Sequence, residues 1–101
     1  MRVRLTRHAE ADLDDIATFI ARDNPFRALT FAEELYEKCM ALADMPSAFP
    51  LIPRYEALGV RRRVHKDYLI LFTVKGETIS VLRVLHGARD YLPLVLGDPH
   101  G

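Results

Sequence analysis

Val60-Arg61-Arg62-Arg63-Val64-His65, then Lys66-Asp67, then Tyr68-Leu69-Ile70-Leu71-Phe72-Thr73-Val74, then Lys75-Gly76-Glu77, then Thr78-Ile79-Ser80-Val81-Leu82-Arg83-Val84-Leu85-His86, is a run of three β-rich segments parted by two short polar turns. Turns this short join strands that fold back on one another, so the spacing predicts an antiparallel meander with strands at 60–65, 68–74 and 78–86. The middle segment is apolar without a break from Leu69 to Phe72. Alternation would leave one face wet; an unbroken run predicts a central strand covered on both faces.

Upstream, residues 46–59 hold Pro46, Pro50, Pro53 and Gly59, which rules out a regular element there. Phe49, Leu51, Ile52 and Tyr55 make the stretch too apolar for a solvated tether, so it should pack along the domain. Before it lies a helix opened by Asn24-Pro25, a good cap followed by a proline that needs no N–H at the first helical position. Ala28, Ala32, Leu35, Cys39 and Leu42 form its main stripe, Leu29, Tyr36, Met40 and Ala43 widen the apolar surface, and Pro46 is the expected stop. An earlier helix has Thr6 as N-cap and Ala9, Leu13, Ile16, Ala17 and Ile20 at helical spacing, with Asp12, Asp14, Asp15 and Arg22 assigned to solvent. Glu10 sits one residue too far on for a capping box. The short join between the helices implies an antiparallel hairpin. Residues 2–6, Arg-Val-Arg-Leu-Thr, alternate polar and apolar, which reads as a short strand.

The expected fold class is therefore α+β: an N-terminal strand, an antiparallel helical hairpin and a three-strand antiparallel meander, forming one small sheet with two helices on one face. Two helices leave the other face bare. Its cover must come from the short apolar tail that begins near residue 92 (Leu92, Pro93, Leu94, Val95, Leu96) or from a separate protein.

A chain of 101 residues is expected to be a single domain, 1–101, with an ordinary globular composition: 50% hydrophobic and 28% charged. Fourteen basic residues balance fourteen acidic ones, so overall charge does not point to nucleic acid. Charge is uneven along the chain: acids gather between residues 9 and 44, whereas Arg54, Arg61, Arg62, Arg63, His65 and Lys66 face a single acid, Glu56. Cys39 is the only cysteine and falls on an apolar helix face, the place of a buried thiol. No apolar run approaches a membrane span and the N-terminus lacks a signal-peptide core, so a cytoplasmic protein with no membrane contact is expected. Asp12, Asp15 and His8 are too sparse for a metal site. No Gly-rich phosphate loop, nucleophile elbow or Cys/His pair occurs, and no cofactor or metal is expected.

Polar chemistry is concentrated after the last strand, where Val81 to His86 leads into Gly87-Ala88-Arg89-Asp90-Tyr91. Arg83, His86, Arg89 and Tyr91 are side chains that grip anions or move protons, mounted on a strand end. Arg83, mid-strand between Leu82 and Val84, must pair with a carboxylate or reach solvent, and His86 is either structural or a proton-transfer group. At most two of Arg61, Arg62 and Arg63 share a face; they protect an edge strand, meet acidic residues of a partner, or meet nucleic acid.

The element order, with Ala9…Asp12-Leu13…Ile16…Ile20 in the first helix and Leu82-Arg83-Val84-Leu85-His86-Gly87-Ala88-Arg89-Asp90 at the end, resembles the ParE toxins of the RelE/ParE superfamily, from Leu5 to about Tyr91. The resemblance implies the toxin of a type II toxin-antitoxin system that serves plasmid or chromosomal stabilisation. It implies a ParD-like antitoxin as partner in a hetero-oligomer, DNA gyrase as target, operator DNA reached only through the antitoxin, and inhibition by binding rather than catalysis. Under it, Arg61, Arg63, Leu69, Leu71, Arg83, Arg89 and Tyr91 would meet target or antitoxin. The alternatives are a RelE-like, metal-independent, ribosome-dependent mRNA endoribonuclease, in which Arg61, Arg63, Arg83, His86, Arg89 and Tyr91 could handle the scissile phosphate, and an inactive homologue. Such ribonucleases typically carry an arginine where Tyr68-Leu69 stands here and a further basic residue after the histidine, where Gly87-Ala88 stands. Both departures favour the ParE reading.

Overall fold

The structure, a computed structural model, describes residues 1–87 and 92–97, with Leu94 and Val95 described through their backbone alone. Strand β1 (Arg2–Leu5) leads into helices α1 (Arg7–Ala21) and α2 (Pro25–Met40); strands β2 (Val60–His65), β3 (Tyr68–Lys75) and β4 (Thr78–His86) follow, and then a short helix α3 (Leu92–Leu96). The sheet order is β1-β4-β3-β2. The meander pairs antiparallel as expected, while β1 lies parallel to β4, which makes the sheet mixed.

Both predicted helix starts are capped by the side chains that marked them. Asn24 Oδ1 accepts the Arg27 N–H at 3.0 Å, and Pro25 occupies the first helical position. Thr6 Oγ1 accepts the Ala9 N–H at 3.1 Å and donates to the Leu82 carbonyl at 2.9 Å, so one hydroxyl caps α1 and ties it to β4. The second helix ends sooner than Pro46 required: it gives way after Met40 to a 3-10 turn, Ala41–Ala43, whose tighter winding carries Leu42 into the core. Within α2 the core face is Ala28, Phe31, Leu35 and Cys39; Phe31 replaces the expected Ala32, which is half-buried.

The hairpin packs on one face of the sheet over Ile70, Phe72, Ile79, Val81 and Val84. The switch from odd to even positions in β4 is produced by a bulge: Leu71 pairs with Arg83 but Phe72 pairs with Val81, so Leu82 is the extra residue. The opposite face carries Val60, Leu71 and Leu85, covered by Ile52 and Tyr55 of the 46–59 connection, with Leu92 and Leu96 of α3 packed alongside. Chain segments on both sides of β3 explain its unbroken apolar run. The apolar connection lies along the domain as expected, and of the two covers left open, the tail or a separate protein, Leu92 and Leu96 of the tail contribute to this face.

One assignment is overturned. Asp12 is not on the solvent face of α1; it is 8% exposed and holds Arg83 through two hydrogen bonds, Nε to Oδ2 at 2.7 Å and Nη2 to Oδ1 at 2.9 Å. Its Oδ2 also accepts the Val84 N–H at 2.9 Å. The cause is the length of β1. That strand ends at Leu5, so β4 runs past its neighbour, and the side chains of Thr6 and Asp12 satisfy the backbone groups of Leu82 and Val84 left at the bulge. Among the described residues no helix is long and apolar enough to cross a membrane.

Candidate functional site

Pairing register puts Arg61, Arg63 and His65 on the helix side of the sheet, opposite Phe72, Ile70 and Tyr68, and turns Arg62 and Val64 to the other side. Both half-buried arginines are engaged within the domain. Arg61 Nη1 donates to the Phe49 carbonyl at 2.7 Å; Arg63 Nη1 donates to the Lys38 carbonyl, in the last turn of α2, at 3.0 Å and lies over the Phe49 ring. A cation against the carbonyl end of a helix is favourable, and here it stitches α2 to β2. Arg83 is similarly committed to Asp12, whose hydrogen bonds raise its pKa above the ordinary arginine value. Cys39 is fully buried, and desolvation pushes its thiol up to about 11.

Leu71 is 0% exposed, enclosed beneath Ile52 and Tyr55, and offers no surface to a partner in the free chain. Leu69 is half-buried on the same side, where the Cβ that a larger residue would carry at position 87 would come within 3.3 Å of its Cγ. A side chain at position 87 would require Leu69 to give by a few tenths of an ångström. His86, on the surface, pairs with Tyr68, the rings meeting edge to face with centroids 5.4 Å apart. Arg89 and Tyr91 lie outside the described residues.

A polar cluster that the sequence did not signal sits where α2 passes the β2-β3 turn. Glu34 is met by Lys66 Nζ at 3.0 Å, by His65 Nε2 at 2.7 Å and by Arg27 Nη1 at 3.3 Å. The Lys66 and His65 hydrogen bonds, in that order, outweigh desolvation and hold the Glu34 carboxyl down at about 2. Phe31 is the platform: Arg27 and Lys66 lie over its ring, and His65 stacks on it with centroids 6.1 Å apart. Burial, and then the charge of Asp67, raises the Tyr68 pKa. Strand parity places His65 beside Arg61 and Arg63, but nothing in the spacing brings Glu34 to it, because their contact depends on how α2 crosses the sheet. Among the described residues no group of three or more His, Cys, Asp or Glu is placed to hold a metal ion.

The hairpin's outward side is apolar. Phe26 (78% exposed), Leu29 (68%), Tyr36 and Met40 run along α2; Tyr36 and Met40 line clefts there, and Leu29 belongs to the wider apolar surface expected of this helix. One cleft, of about 370 Å³, lies between the helices over Leu13, Ala17, Ala32 and Tyr36, with Asp14, Glu33 and Glu37 at its rim. A second, of about 360 Å³, shares Leu13, Asp14 and Tyr36 and continues to Met40 and to Val3 and Leu5 of β1, beside Glu10. The two form one trough from the sheet's β1 side up into the hairpin, with an apolar floor and acidic rim. Such a surface is suited to protein recognition.

A family model described as the ParE toxin of type II toxin-antitoxin system, parDE, matches residues 3–91. Among solved structures the chain is similar to one from the chromosomal ParDE TA system from P. aeruginosa, with 29% sequence identity, a TM-score of 0.74, and coverage of 85% of this chain and 95% of that chain. A comparison with curated protein sequences finds no match. The family match spans both the helical hairpin and the meander, and the chain belongs to the ParE toxin family of type II toxin-antitoxin systems.

Proposed function

We propose that this chain is a cytoplasmic toxin that inhibits DNA gyrase by binding it and is neutralised by a ParD-like antitoxin in a hetero-oligomer. Operator DNA is reached only through the antitoxin. The observation that carries a binding mode is the commitment of three of the sheet's arginines: Arg61, Arg63 and Arg83, the ones a ribonuclease reading would use, each donate to a carbonyl or carboxylate of the domain itself. A ribonuclease must hold cations toward the phosphorane charge that develops in the transition state, and arginines already bonded to the fold are poorly placed to do so. The trough on the hairpin supports a partner that lies across α1 and α2. A mostly disordered antitoxin segment can cover such a surface, ordering as it binds.

The test is expression of the chain without a partner, with plasmid supercoiling and SOS induction followed beside the integrity of translated messages. Loss of negative supercoiling with intact messages is the expected result. Prompt message cleavage at normal supercoiling would overturn the proposal in favour of a ribosome-dependent endoribonuclease. For the antitoxin, the product of the adjacent reading frame should restore growth and co-purify with the toxin.

A further inference from the structure

We infer that one patch of the sheet face turned away from the hairpin, where Arg2, Arg4 and Lys75 surround Thr73, Thr78 and Ser80, is a phosphate-backbone contact for the duplex DNA that gyrase holds. The inference rests on the gyrase reading above and specifies what else the toxin touches once docked. Val3 and Leu5 of β1, Phe72 and Val74 of β3, and Ile79 and Val81 of β4 all pack toward the helical hairpin. Strand alternation therefore turns Arg2 and Arg4, Thr73 and Lys75, and Thr78 and Ser80 to the opposite face. Pairing register sets them in two adjacent rows across three strands: Arg4, Ser80 and Thr73 in one, Arg2, Thr78 and Lys75 in the other.

All six side chains are polar, and the three cations are exposed. Arg4 is aimed by its Nε, which donates to Ser80 Oγ at 3.0 Å and leaves both terminal nitrogens of the guanidinium for a ligand. Among the described residues no carboxylate lies within ion-pair distance of Arg2, Arg4 or Lys75. Cations on the helix side are engaged within the domain instead: Arg27, His65 and Lys66 meet Glu34, Arg83 meets Asp12, and Arg61 and Arg63 meet main-chain carbonyls.

The chemistry of the patch selects its occupant. A protein partner is held by a contact with an apolar centre, which these two rows lack, whereas a phosphodiester backbone is gripped by cations and hydroxyl donors alone. Such a contact carries no sequence information. Charge also divides the molecule across the sheet: Glu10, Asp14, Glu33 and Glu37 line the clefts on the hairpin side, and their repulsion turns the basic face toward DNA. Three cations on a chain with no net charge meet too few phosphates to retain DNA by themselves at cellular salt. DNA already fixed by a protein on which the toxin is docked is presented at high effective concentration, and there the same three contacts strengthen the complex.

The test compares affinity for gyrase with and without a bound linear duplex, for the full chain and for the combined substitutions Arg2→Gln, Arg4→Gln and Lys75→Gln. The duplex should strengthen binding of the unmodified chain at least roughly tenfold at low salt. The combined variant should lose that gain, bind gyrase alone as before, and show a slope of log affinity against log salt reduced by about 0.9 for each phosphate contact removed. Circular dichroism checks that it folds; Lys75→Gln alone, which breaks no hydrogen bond of the domain, should lower the slope by about 0.9 and keeps the question answerable if the combined variant does not. A folded variant that retains the full gain from DNA overturns the inference, as does a duplex that adds nothing to binding by the unmodified chain. Weaker binding of the variant to the product of the adjacent reading frame, with the gain from DNA intact, overturns it in favour of an acidic protein on this face. A slope that falls only for operator DNA in the antitoxin complex overturns gyrase-held DNA as the source. If the unmodified chain does not bind gyrase with or without DNA, the gyrase reading fails and this inference falls with it.

Discussion

Glu34 shows how one carboxylate comes to organise two cations and an imidazole. Its partners come from two elements, Arg27 from one turn of α2 and His65 with Lys66 from the end of β2 and its turn, so the cluster fastens helix to sheet at that end. The carboxyl titrates at about 2 in the folded chain against an ordinary 4.5. A depressed carboxyl pKa contributes stability in full above its unfolded value, and that contribution fades as pH falls through the folded one. The stability difference between the wild type and Glu34→Gln should therefore shrink as pH falls from about 4.5 toward 2. Urea unfolding at stepped pH measures it, and a difference that stays flat throughout that window would refute the role. None of this was legible from spacing, since Glu34 on a helix and His65 on a strand share no period.

At the scale of elements, the seam between α1 and β4 is decided by a strand that is too short. Where β1 stops, Thr6 and Asp12 take over its hydrogen-bonding task, and Arg83 reaches across to the same carboxylate. Truncating Asp12 to alanine strands a guanidinium and a backbone N–H together, a loss of about 3 kcal/mol of unfolding free energy, with Asp12→Asn losing less because an acceptor for Val84 remains. Chemical denaturation with Arg83→Met combined in a double-mutant cycle should show coupling of the pair; independent, additive effects would contradict it. The sequence left Arg83 either to reach solvent or to pair with a carboxylate, with the acids of the helices or Asp90 as partners. It did not single out Asp12 among them, because a helix with one apolar stripe gives no sign that its edge will meet a bulge, and an aspartate flanking that stripe reads as solvated.

Across the whole molecule, the apolar surface divides into a part that holds the fold and a part that does not. Leu71, proposed as a contact, belongs to the first; Phe26 and Leu29 stand largely in solvent and belong to the second. Replacing Phe26 and Leu29 together by serine should leave the unfolding free energy within about 1 kcal/mol, the sum of two surface changes of about 0.5 each, while weakening the complex with the antitoxin. Calorimetric titration beside denaturation separates the two effects, and a large loss of stability would place the pair in the core instead. The meander, both helix caps, the central position of β3 and the need to cover its second face follow from the sequence, because turn length, capping chemistry and apolar period are local and the chain cannot satisfy them in many ways. The parallel pairing of β1, the bulge at Leu82, the carbonyl partners of Arg61 and Arg63, the choice of Asp12 for Arg83 and the Glu34 cluster belong to the tertiary structure alone. Each depends on which distant groups arrive together once the hairpin has settled on the sheet, a matter of packing geometry that no local pattern encodes.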